Sequence, residues 1–132
     1  MLEVKHENKT FAAETAAELT AMGVPQVVVD EALALRRQKG ISAECRRRIY
    51  DVASVEAQMN MAAAVGVISG KTASARSEDE KSILAGAEAA IGWVAAMRAA
   101  VATLAADADA DFTADVAWPD VPPEALAMIQ HF

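Results

Sequence analysis

Several things are scarce in this sequence, and each scarcity narrows its function. A single cysteine, Cys45, rules out an intrachain disulfide and offers no metal framework. Glycine and proline are few, at six and four, and aromatic residues are limited to three Phe, two Trp and one Tyr. The chain is nevertheless 54% hydrophobic, much of it alanine, the best helix former. A helical fold with a core of small side chains is therefore expected. Positive charge is also short: twelve Lys and Arg stand against nineteen Asp and Glu, for a net charge of -7. That balance argues against broad binding to nucleic acids or anionic membranes. The opening residues MLEVKHENK lack the apolar segment of a secretory leader. No apolar run approaches the ~20 residues of a membrane span, so a cytoplasmic protein is expected. His6 and His131 lie near opposite ends without ligand spacing, and no cofactor is expected.

With 132 residues, one domain is expected. Leu2-Glu3-Val4-Lys5 alternates like a half-exposed strand, His6–Lys9 suits a turn and Thr10-Phe11 suits a return strand, so residues 1–11 fit a small β-hairpin. Residues 11–39 read as two short helices. The first, Phe11 to Met22, ends at Gly23; the second, Pro25 to Lys39, is closed by Gly40. Residues 42–106 read as a long antiparallel helical hairpin. Ser42 is the expected N-cap of its first arm, which runs to Ser69. Ser77-Glu78-Asp79-Glu80 is a capping-box sequence for the second arm. That arm then carries Ile83, Ala87, Ala90, Val94, Met97, Val101 and Leu104 at alternating steps of four and three. Residues 107–132 form a tail: an acidic break, a proline-rich stretch and a short helix from Glu124 to Gln130, with Trp118 and Phe132 as anchors. The expected fold is all-α, a helical bundle built on the hairpin.

Three groups of residues are candidates for function. Glu56 and Asn60 fall within the apolar stripe of the first arm, and Arg98 on the second arm could pair with Glu56. Burial would force these polar groups to find partners. The simplest reading is a buried polar cluster that fixes helix register. The second group is the far side of the second arm, where Ala85, Ala89, Gly92, Ala96, Ala99 and Thr103 form a seam of small residues. A helix apolar on two sides is usually buried on two sides, so residues 11–39 or a second copy should cover this seam. The third group is the basic patch of Arg36, Arg37, Arg46, Arg47 and Arg48, which could meet phosphate or an acidic partner. With Tyr50 as the one nearby aromatic and an acidic total, neutralisation of local carboxylates is the preferred reading, and nucleic acid is not the expected partner. Asp107, Asp109 and Asp111 imitate the start of a calcium loop, but Phe112 and Trp118 stand where it needs Gly and Glu. Cys45 sits on an apolar face without an evident histidine base and reads as a core residue.

The run RRRIYDVAS..AQMNMAAA at residues 46–64 resembles small proteins, or C-terminal segments, from the tail-fibre regions of prophages and Mu-like phages. GWVAAMRAA at 92–100, DFTAD..WP at 111–119 and TAMGVPQVVV at 20–29 extend the resemblance over roughly residues 10–119. It implies a phage-derived structural or assembly protein that acts through protein–protein contacts. It brings no catalytic residues with it. The expected function is thus nonenzymatic interaction or assembly, with a homo-oligomer or a phage structural protein as partner. The alternative is a small helical ligand-binding or regulatory module with a pocket between the long helices, around Glu56, Asn60, Trp93 and Arg98.

Overall fold

The computed structural model describes every residue from Met1 to Phe132. The protein is mostly helical, with one small antiparallel sheet. In chain order the elements are β1 (Leu2–His6), β2 (Lys9–Ala13), α1 (Ala16–Ala21), α2 (Gln26–Val52), α3 (Val55–Ser69), α4 (Glu78–Ala106) and α5 (Pro123–Gln130). Single 3-10 turns occur at Ala73–Ala75 and Asp115–Ala117. The chain divides into two compact units, Met1–Ala43 and Glu44–Phe132, and the boundary falls within α2.

The first unit begins with the expected hairpin. Leu2 pairs with Ala13, Val4 with Phe11 and His6 with Lys9. The two-residue turn places Glu7 and Asn8 at φ values of 48° and 62°. Left-handed geometry at both positions matches the twist of the strands, and Asn tolerates it well. Alternation puts Leu2, Val4, Phe11 and Ala13 on one face of the hairpin. That face packs with Leu19, Val24 and Val29, the first two of which flank the end of α1 and the third of which lies on α2. The helix expected from Phe11 therefore starts later. Residues 11–13 belong to β2, and Thr15 caps α1 with Glu18 completing a capping box. Gly23, at φ +89°, makes the turn after α1 that a side chain would resist.

The largest departure from expectation lies in α2. Gly40 does not end the helix, and Ser42 is not a cap: α2 runs through both as a helix of 27 residues. A helical glycine costs only about 1 kcal/mol relative to alanine. Burial of Ile41 and Cys45, 0% and 4% exposed, favours continuity by more than that. The break comes instead at Ala53-Ser54. The Ser54 side chain accepts a hydrogen bond from the Ala57 amide, and Gln58 Nε2 donates to the Ala53 carbonyl at 2.8 Å. The two helices bend by 64° at this point. The expected first arm is thus split, and α3 has 15 residues against 29 in α4.

In the second unit α4 is the central element, and its most extensive partner is α5 rather than α3. The Ser77–Glu80 capping box forms as read from the sequence. The seam from Ile83 to Leu104 turns inward: Met97 and Leu104 are buried and the other five residues are half-buried. Ala53, Met128 and Ile129 form a core with Val52, Met61, Ile83, Ala87, Ala90 and Phe132 packed around it. Gly86 is the point of closest approach. A Cβ built there would lie 2.5 Å from the Met128 Cβ and 2.9 Å from the Glu124 carbonyl oxygen.

Two indoles hold the proline-rich tail. Trp93 Nε1 donates to the Pro119 carbonyl at 3.1 Å, and Trp118 Nε1 donates to the Phe112 carbonyl at 2.7 Å. Both rings are buried, as their amphipathic character allows once the N–H has a partner.

Candidate functional site

The expected polar cluster does not form. Glu56, Asn60 and Arg98 are all exposed, and no polar or charged residue of the chain is fully buried. The physical reason is the break at Ser54. Glu56 falls in the first turn of a new helix, where a carboxylate is favoured by the dipole, rather than in mid-stripe of a longer one. Trp93, the apolar member of the expected pocket, is closed in and spends its N–H on Pro119. A groove exists elsewhere, between α4 and α5, with a volume of about 640 Å3. Asp79, Ser82, Glu124 and His131 contribute its polar groups, and Ile83, Ala85, Ala127 and Met128 its apolar ones. It is open, and no hydrogen bond joins those polar side chains to one another.

The arginines are distributed among separate contacts. In the first unit Arg36 is exposed and Arg37 half-buried. In the second, Arg46 lies 5.2 Å from the centre of the Tyr50 ring. Arg47 donates to Glu44 at 2.7 and 2.9 Å and to Asp51 at 2.6 Å. Arg48 donates to Glu44 at 2.8 Å, to Asp115 at 2.8 Å and to the Thr113 carbonyl at 2.9 Å, and its guanidinium lies 5.7 Å from the centre of the Trp118 ring. Arg47 and Arg48 therefore neutralise carboxylates, and Arg48 fastens the tail to the end of α2.

This network makes stability depend on pH. Hydrogen bonds from Arg47, aided by its charge and by Arg48, hold the Glu44 carboxyl below its ordinary value of 4.5 against an opposing effect of burial. A depressed carboxyl pKa stabilises the fold above the unfolded value, and the contribution fades as pH falls through the folded one. Glu44→Gln is expected to cost about 1 kcal/mol near neutral pH and nothing at pH values where Glu44 is already protonated. Denaturant midpoints of the two proteins, followed on acidification, should converge.

The aspartates of the tail are taken up in local turns. Asp107 Oδ1 accepts from the Asp109 amide, and Asp111 Oδ1 accepts from both the amide and the hydroxyl of Thr113. The Thr113 hydrogen bonds hold the Asp111 carboxyl below its usual range. No group of three or more His, Cys, Asp or Glu side chains is placed to hold a metal ion. Cys45 is buried, and burial pushes its thiol pKa up despite the opposing charge of Arg98. Such a thiol is poorly nucleophilic.

The outer face of α4 is the feature that stands open. Of the six residues in the expected seam, Ala85, Gly92, Ala96, Ala99 and Thr103 are exposed and Ala89 is half-buried. The fully exposed row is turned slightly from the expected one and runs through Ala85, Glu88, Gly92, Ala95, Ala99 and Ala102. Ile91, beside this row, is 72% exposed. By length and composition α4 is long and apolar enough to cross a membrane, which the short runs of its sequence do not reveal. Only 17% of its most apolar 18-residue window is buried within the chain. The neighbouring α3 adds Val55, Met59 and Val67, each more than half exposed. The comparison with protein-family models matches none of them to this chain, and the comparison with curated proteins likewise finds no match.

Proposed function

We propose that this chain is a nonenzymatic interaction or assembly protein, that the outer face of α4 is its contact surface, and that it acts in a prophage-derived, tail-related assembly in the cytoplasm. The observation that carries the reading is the low burial of the apolar window of α4. A long, nearly uncharged helix face with small side chains lets another backbone approach closely, and contiguous exposed apolar surface marks sites of association. The tail-related part rests on the resemblance of residues 46–64, 92–100 and 111–119 to phage tail-fibre regions. Arg47, Arg48, Asp107 and Asp111 are engaged in contacts within the chain, whereas the apolar face of α4 stands exposed.

Coexpression with the products of the flanking genes tests this reading. A complex is expected, and Ala96→Lys and Ala99→Lys should each disrupt it while leaving circular dichroism and thermal unfolding unchanged. Both positions are exposed, so the substitutions need not disturb the core. A chain that associates neither with itself nor with those products would overturn the proposal.

A further inference from the structure

We infer that the outer face of α4 is covered by a second copy of this chain, with the two α4 helices antiparallel about a twofold axis near Gly92 and Ala95. This deepens the proposed function and rests on it. The argument comes from the placement of two charges. Between Ser82 and Ala106 α4 carries only Glu88 and Arg98. Both are exposed, and neither forms an ion pair within the chain. Ten residues separate them, about 15 Å along the helix, so they cannot reach each other within one copy.

The exposed row Ala85, Glu88, Gly92, Ala95, Ala99 and Ala102 is symmetric about a point between Gly92 and Ala95. An antiparallel pair centred there sets Gly92 opposite the partner's Ala95 and Glu88 opposite the partner's Ala99. Arg98 lies one residue from that level, on the flank of the same face, within reach of the other copy's Glu88. The twofold axis repeats the pair, so both carboxylates gain a cation as they are buried. A parallel pair would instead oppose Glu88 to Glu88 and Arg98 to Arg98, and like charges across an interface are costly. The charge pattern therefore selects a second copy and also its direction. A bilayer fits less well, because Glu88 interrupts the apolar row and Arg98 lies on its flank, and an ionised residue at membrane depth costs about 2.5 kcal/mol or more. Small residues along the axis allow helix axes about 8 Å apart. The row from Ala85 to Ala102 makes a strip about 26 Å long and about 10 Å wide, a small interface, so the dimer should dissociate on dilution.

Sedimentation equilibrium of the purified chain, from micromolar to millimolar concentration, should show a monomer–dimer equilibrium. Glu88→Arg and Arg98→Glu should each weaken it by about tenfold or more. The double variant Glu88→Arg/Arg98→Glu should restore it, and mixing the two single variants should yield heterodimers. Ala95→Cys should form a disulfide-linked dimer on oxidation, whereas Ala85→Cys should not, because its copies would lie about 25 Å apart along the axis. Equal cross-linking at both positions, or association indifferent to the charge reversals, would overturn the arrangement. So would a chain that stays monomeric but floats with phosphatidylcholine–phosphatidylglycerol vesicles. A chain that is monomeric alone yet binds a flanking gene product would overturn the dimer while leaving the proposed function in place.

Discussion

Trp118→Ala is expected to lower the free energy of unfolding of the second unit by about 3–5 kcal/mol, the usual range for removing a buried large aromatic. Three contacts end at this residue. Its ring is 6% exposed, so truncation leaves a large cavity. Its N–H no longer reaches the Phe112 carbonyl, and Arg48 loses the ring beneath its guanidinium. Arg48 also holds Thr113 and Asp115, so the loss should spread through the stretch from Phe112 to Trp118. Trp118→Phe, which keeps most of the apolar area and lacks the N–H, should cost markedly less. Urea denaturation followed by circular dichroism, with Trp93 as a second reporter, measures both. A loss below about 1 kcal/mol for the alanine variant, within the range of ordinary surface substitutions, would mean that the tail is not packed as described.

The second large effect is expected at Gly86. By helix propensity alone, a larger residue in the interior of α4 should stabilise the protein by up to about 1 kcal/mol. The close approach of α5 reverses the sign. A Cβ at Gly86 would meet the Cβ of Met128 and the Glu124 carbonyl at distances that real contacts do not show, and one of these is backbone. Relief requires α5 to move, which opens the core of Ala53, Met128 and Ile129. Gly86→Leu is therefore expected to cost about 3 kcal/mol or more. Gly66→Ala is the matched control: it lies inside α3 with nothing within 4 Å of the added carbon, and it should be neutral or stabilising. Parallel thermal melts of the two variants decide the point. Equal shifts at both sites would show that propensity, and not packing, governs Gly86.

Local signals in the sequence carried much of the fold. Alternation and a polar tetrapeptide located the hairpin, and Ser77 with Glu80 located the start of α4. The regular steps from Ile83 to Leu104 identified its inward side, because a helix must bury the face that its spacing assembles. The prolines and Trp118 located an anchored tail. Thr15 and Glu18 also have capping-box spacing, a local signal that places the start of α1 after Phe11.

What only the tertiary structure decided are choices between locally equivalent options. Ser42-Ala43-Glu44 and Ser54-Val55-Glu56 offer the same cap and the same acidic first turn. The helix passes through the first and breaks at the second, because burial of Ile41 and Cys45 outweighs the small cost of Gly40. That choice moved Glu56 and Asn60 out of the expected polar cluster. It shortened one arm of the expected hairpin and left α5 as the main cover of α4. A seam of small residues was legible at Ala85 to Thr103 from spacing alone. Whether the chain covers that seam itself depends on where every other helix ends, and those ends are set by competition among distant apolar contacts that no local pattern encodes.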